Sequence, residues 1–259
     1  MRLRYVTFTG IDERTDLERL EYIQHRYPYA EFGLLLSNKW KENGNRYPHP
    51  AIASLLAGRG LNLSIHLCGD FARTAAETGL YLPLTVSVIQ GLPNIFRRCQ
   101  LNINSISYLD NLKCYHPLPL GMEQVIIQAN DLITAGELIR QGCMNGKRAM
   151  LIDPSGGRGK ETAPIKVMTW TGISVGYAGG IGPDNVGKIL SSLLSYDEQG
   201  SFWLDMETKV RTDDWLDLDK VELVLNICDK LINENFSDGD LKNTIYEFIK
   251  MRKAIKKPL

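Results

Sequence analysis

Long apolar runs are missing from this chain: nowhere does an uninterrupted stretch reach the ~18 residues that a membrane-crossing helix needs. The opening MRLRYVTFTG also lacks the apolar core of a secretory signal, so a soluble, unexported, cytoplasmic protein is expected. Cysteine is sparse and unpatterned. Five residues, Cys68, Cys99, Cys114, Cys143 and Cys228, form no CxxC pair, which excludes a zinc framework and reads as reduced thiols. His25, His49, His66 and His116 show no i, i+4 pairing, so neither a metal nor a cofactor is assigned. An excess of charge of one sign is missing too, with 30 basic residues against 30 acidic ones, and general binding to polyanions such as nucleic acid is not expected. PSGGRGK lacks the Ser or Thr that completes a Walker motif, since Glu161 follows Lys160, and this excludes a P-loop NTPase.

What is present is a 259-residue chain, 44% hydrophobic and 23% charged, which suits two small domains or one barrel-sized domain and rules out a disordered polymer. Short aliphatic and β-branched runs alternate with helical patterns. Strands are expected at Arg4 to Phe8, Glu31 to Leu36, Leu61 to Leu67, Gln100 to Ile103, Gln124 to Gln128, Arg148 to Ile152, Gly172 to Tyr177 and Phe202 to Leu204. Helices are expected over Asp16 to Arg26 behind a Thr15 cap, over Asn185 to Leu194, and over Asp217 to Ile232 behind a capping Asp. Eight βα units predict a (β/α)8 TIM barrel in a single domain, residues 1–259. Residues 236–259 are expected to form an appended C-terminal helix, apolar at Leu241, Ile245, Phe248 and Ile249, that ends in a basic tail.

In a parallel barrel every strand delivers its C-terminal end to one face, where chemistry is sought. The sixth strand runs into Asp153 and the glycine-rich 156–160, with Arg158 and Lys160 suited to a lid over a phosphorylated substrate. The seventh runs into Ala178-Gly179-Gly180-Ile181-Gly182-Pro183-Asp184-Asn185. Paired glycines before a helix start offer backbone amides and a positive dipole end to a phosphate; a tight turn that binds nothing is the alternative. The eighth runs into Asp205-Met206-Glu207-Thr208-Lys209, where Lys209 can meet phosphate and the carboxylates join Asp153 in an acidic set at one mouth. Trp40, in the loop that carries Arg46, is a candidate to flank an aromatic group.

Five segments in order, TFTGIDERTDLE, GLLLSNKWKENGNRYPHP, LIDPSGGRGK, YAGGIGPDNV and FWLDMETKVRTDDWLDLDKV, give the chain a resemblance to the phosphoribosylanthranilate isomerase family, ribulose-phosphate-binding (β/α)8 barrels. The resemblance is collinear over almost the whole chain. It implies Asp153 as general acid, Arg46 as the arginine that holds the substrate's aromatic carboxylate, and a phosphate site at Gly179, Gly180 and Ile181. Gly156, Gly157, Asp205, Thr208 and Lys209 fall in the loops that the resemblance associates with substrate and phosphate.

The chain departs from the family at two places. The family's base is a cysteine at the end of the first strand, where this chain has Thr9, and a threonine hydroxyl cannot unaided take a proton from a sugar carbon. Asp12 and Cys68 are the candidate replacements. Glu207-Thr208-Lys209 also stands in place of the family's hydroxyl-rich phosphate loop. The expected activity is an aldose–ketose, Amadori-type isomerisation, an intramolecular oxidoreductase reaction, or related chemistry on a phosphorylated ribose derivative. A diverged lyase or glycosyl-transfer enzyme and a non-catalytic phosphosugar- or nucleotide-binding barrel are the alternatives. The expected partner is a small phosphosugar or nucleotide ligand, not a nucleic-acid polymer or a membrane, and a homodimer is left open.

Overall fold

The computed structural model describes residues 2–41, 46–78, 95–103, 122–140, 144, 147–155, 172–196 and 200–233. The elements in chain order are β1 (Arg2–Thr9), α1 (Leu17–Arg26), β2 (Ala30–Leu36), α2 (Ile52–Leu56), β3 (Leu63–Cys68), α3 (Asp70–Thr78), β4 (Phe96–Asn102), β5 (Gln124–Ala129), α4 (Leu132–Arg140), β6 (Arg148–Ile152), β7 (Ser174–Tyr177), α5 (Val186–Leu194), β8 (Ser201–Met206), the short antiparallel pair β9 (Arg211–Thr212) and β10 (Trp215–Leu216), and α6 (Leu218–Asn233). β1 to β8 pair in parallel in sequence order and β8 closes onto β1, so the fold is the expected TIM barrel. The expected C-terminal helix from Leu241 and the lid at 156–160 lie outside the described residues, as do Cys114, Cys143 and His116.

Successive strand residues point to opposite faces, and this alternation sorts the core into two parts. Val6, Phe8, Phe32, Leu34, Ile65 and Leu67 belong to the large apolar cluster that the helices cover, together with Leu20, Ile23, Leu190 and Val221 from the helices. Ile126, Ala149, Leu151, Ala178 and Trp203 form a second, smaller cluster, with Tyr5 packed against it. The strand positions alternating with the first cluster are polar to an uncommon degree: Thr7, Thr9, Glu31, Ser64, His66, Arg98, Gln100 and Asp205 are all buried.

Arg98 explains where β4 begins. The apolar pattern alone places the start at Gln100, because two arginines precede it, yet the strand begins at Phe96. Arg97 faces solvent and pairs with Glu123, while Arg98 turns inward to an ion pair with Glu31 at 3.1 Å, both side chains 2% exposed. The Arg98 guanidinium also lies over the rings of Trp203 and Tyr5, at 4.3 and 4.9 Å from their centroids. Buried charge survives where it is paired and stacked, so the strand extends through a position that looks like a surface residue.

Helix starts correct one expectation. Asp16, not Thr15, caps α1, with its side chain accepting from the Arg19 amide. Thr15 instead belongs to the preceding loop, where its hydroxyl bonds Asp12. Asp217 does cap α6 as expected, accepting from the amides of Asp219 and Lys220. Among the described residues no helix is long and apolar enough to cross a membrane.

Candidate active site

The C-terminal ends of β1, β3, β4, β5, β6, β7 and β8 surround one cleft, and its two walls differ in chemistry. On one side lie Asp153, Gln128 and Ser155. The Asp153 carboxylate accepts from the Ser155 amide (3.0 Å) and hydroxyl (2.7 Å) at one oxygen and from the Gln128 side-chain amide (3.0 Å) at the other. Three donors fix its direction, which is what a group that must meet one substrate atom requires.

Asp205 faces the cleft from β8, and its carboxyl accepts from the Thr9 hydroxyl at 2.8 Å. Burial raises its pKa to about 7; the Thr9 hydrogen bond opposes that rise, and the charges of Glu207, Glu31 and Asp153 add to it. Asp205 is thereby a carboxyl that can both hold and release a proton near neutrality.

The glycine turn after β7 is the third part. Gly179 and Gly180 have φ of 103° and 67°, in the region that favours glycine. Asn185 fixes the turn from the head of α5, donating to the Gly180 carbonyl and accepting from the Gly182 amide, both at 2.9 Å. The amides of Asn185 and Val186 bond the Gly182 carbonyl, so the helix start is not a set of free donors as the sequence suggests. The amides of Gly179, Gly180 and Ile181 form no hydrogen bond among the described residues, and all three residues line the cleft. Adjacent uncommitted amides in a turn make an anion-binding concavity.

The remaining expected site residues divide. Thr208 and Lys209 line the cleft, with the Lys209 ammonium paired to Asp184 at 2.9 Å. Glu207 lines it as well, and Arg46 pairs with Glu207 at 2.7 Å. Burial raises the Glu207 pKa, against the opposing charges of Arg46 and Arg211. Gly156 and Gly157 lie outside the described residues.

Asp12 and Cys68, the two candidate bases, do not line the cleft. Asp12 is a loop clamp: one carboxyl oxygen accepts from the Arg14 amide and the Thr15 hydroxyl, the other from the Leu216 amide at 2.8 Å. Burial raises the Cys68 thiol to about 12, against the opposing effect of the Asn102 side chain that donates to its sulfur at 3.1 Å, so it stays protonated near neutrality. Trp40 packs edge-on against His49 at 4.5 Å, away from the cleft lining.

Sequence reasoning passed over Asn102, Gln128 and Ser155 and read His66 only as a residue within or against the barrel wall; all four line the cleft. The available signal was a polar residue at the C-terminal end of an otherwise apolar strand, as with Gln128 in QVIIQA. Among the described residues, no group of three or more His, Cys, Asp or Glu side chains is placed to hold a metal ion.

With this geometry in hand, the chain compares with N-(5'-phosphoribosyl)anthranilate isomerase from Pyrococcus furiosus at a TM-score of 0.52 and 17% identity, over 87% of this chain and 98% of that one. The fold is a closed parallel eight-stranded barrel similar to that of this isomerase. At that identity the likeness establishes the fold alone. A xylose isomerase domain protein from Alicyclobacillus acidocaldarius is also similar, at 15% identity over 88% of this chain and 98% of that one, but its TM-score of 0.40 is too low to equate the two folds. No protein-family model and no curated protein sequence matches the chain.

Proposed function

We propose that this barrel is an isomerase acting on a phosphorylated ribose derivative, with Asp205 and Asp153 as its two proton-transfer groups. The observation that carries the reading is the Thr9–Asp205 hydrogen bond. Thr9 stands where the resembled family places its base, and the carboxyl 2.8 Å from its hydroxyl supplies the proton acceptor that threonine cannot be. In this reading Asp153 acts in its protonated form, giving its proton to the sugar ring oxygen as the bond from that oxygen to carbon one breaks and carbon one becomes a C=O or C=N group. Asp205, ionised, takes the proton from carbon two. The freed pair forms the double bond between carbons one and two while the π pair moves onto the carbon-one oxygen or nitrogen, and return of a proton to carbon one, with loss of the carbon-two hydroxyl proton, gives the ketose. The amides of Gly179, Gly180 and Ile181 receive the phosphate.

Arg46 bears on the choice of substrate. Its guanidinium is engaged by Glu207, a carboxylate of the chain itself, at 2.7 Å. A phosphoribosyl compound without an aromatic carboxylate fits this arrangement better than anthranilate does, because a second carboxylate would have to displace Glu207.

Turnover of ribose 5-phosphate and of phosphoribosylanthranilate by the wild type, Asp153→Asn and Asp205→Asn tests the proposal. Each variant is expected to lose about 10²-fold or more in kcat. Undiminished turnover in either variant refutes the role of that carboxyl. If inorganic phosphate, phosphoribosyl compounds and nucleotide sugars all fail to raise the thermal midpoint, the phosphate site is refuted.

A further inference from the structure

His66 takes no part in the proton transfers above, yet it stands inside the barrel and lines the same cleft. Its Nε2 lies 3.2 Å from the Ser64 hydroxyl, and Nδ1 has no hydrogen bond among the described residues. The absence of a side chain at Gly33 on the neighbouring strand brings the ring to the centre. A Cβ at Gly33 would stand 2.8 Å from the Thr9 hydroxyl oxygen and 2.9 Å from His66 Nε2, closer than real Cβ contacts come, so glycine leaves the room on β2 that the Thr9 hydroxyl and the His66 ring both border. The Thr9 hydroxyl is in turn bonded to Asp205. An imidazole from β3, a hydroxyl from β1 and a carboxyl from β8 therefore converge on one side of the cleft, facing Asp153 from β6.

Resting on the phosphosugar reading, we propose that His66 is a substrate-contacting residue, hydrogen-bonding a hydroxyl or carbonyl oxygen of the sugar from the β3 side of the cleft. The surroundings suit an uncharged donor. Burial, reinforced by the Arg98 charge on β4, lowers the His66 pKa to about 3, so the imidazole is neutral throughout the physiological range. A neutral imidazole offers one N–H and one lone pair, and can polarise an oxygen without placing a second cation in the barrel interior. The charged and titratable groups around it are Arg98 with its partner Glu31, the Asp205 carboxyl bonded to Thr9, Glu207 in the cleft lining, and the Cys68 thiol two residues along β3, which burial keeps protonated.

The test uses the full chain, labelled with 15N, titrated with ribose 5-phosphate and followed at the histidine ring nitrogens and at the amides of Gly179 and Gly180. The His66 signals, identified by their loss in His66→Asn, are expected to keep the neutral pattern from pH 8 to pH 5 and to shift on ligand addition together with the glycine amides. The Kd for ribose 5-phosphate is expected to rise at least tenfold in His66→Asn. A shift at Gly179 and Gly180 with none at His66 overturns the inference while the phosphate reading stands, and so does a ring that titrates near its ordinary pKa of about 6.5. No shift at the glycines or at His66 overturns the phosphosugar reading and the inference with it. The titration needs only the wild-type ring, assigned if necessary by His66→Gln, so a variant that fails to fold does not decide the outcome.

Discussion

Replacing Asp205 by Asn is expected to stabilise the protein, increasingly as pH rises from about 4 to 7. A carboxyl whose pKa in the folded chain lies near 7, against 3.8 as an ordinary aspartate, is protonated in the folded state over a range where the unfolded chain has already released the proton. Unfolding therefore releases a proton between about pH 4 and 7, and stability falls as pH rises through that window. Above it, the buried carboxylate carries a penalty of about 4 kcal/mol, taken from the distance between the two pKa values at 1.36 kcal/mol each. Relaxation and water entry make that an upper bound, and about 2 kcal/mol is a safer expectation. Asn keeps an oxygen to accept the Thr9 hydroxyl and removes the charge. Urea unfolding at pH 5 and at pH 8.5 measures the effect. Asp205→Asn is expected to exceed the wild type by about 2 kcal/mol at pH 8.5 and by about 1 kcal/mol less than that at pH 5, where the window is only partly crossed. An equal difference at both pH values, or a less stable variant at pH 8.5, refutes the assignment of a raised pKa. On the proposed function, the same substitution is expected to lower kcat by about 10²-fold or more.

Two further perturbations address the framework. Arg98→Met leaves Glu31 buried with only the Thr7 hydroxyl as a described partner, and is expected to lower unfolding stability by about 3–5 kcal/mol, with the Arg98→Met/Glu31→Leu double variant recovering most of that loss; a single-variant loss below about 1 kcal/mol refutes the buried pair. Asp12→Ala strips the acceptor from the Leu216 and Arg14 amides and the Thr15 hydroxyl, and is expected to reduce stability by about 2 kcal/mol in the same assay; an unchanged midpoint refutes the clamp.

The eight strand runs were legible because apolar residues recur at the spacing of a strand buried under helices, and β6 at Arg148–Ile152 was placed to the residue. β4 shows the limit of that signal. Arg97 and Arg98 are identical in a sequence-level pattern, but one is solvated and the other lies between two rings against Glu31. Propensity reads residue type, whereas the environment decides whether a charge can be buried.

The site divides in the same way. Strand order and the glycine turn follow from local chemistry, so Asp153, Gly179 and Gly180 could be placed at one mouth from the sequence, and so could the acidic set of Asp153, Asp205 and Glu207. The pairings could not. Thr9 meets Asp205 across 196 positions because β8 closes onto β1, and that closure sets a buried carboxyl beside the hydroxyl of the first strand. Asp12, only three positions past Thr9, is drawn away by the Leu216 amide, and Glu207 engages Arg46. What the sequence by itself determined was which residue types stand at the barrel mouth; which of them face one another, and with what proton affinity, only barrel closure and burial decided, because hydrogen bonds and desolvation depend on distances that chain order does not contain.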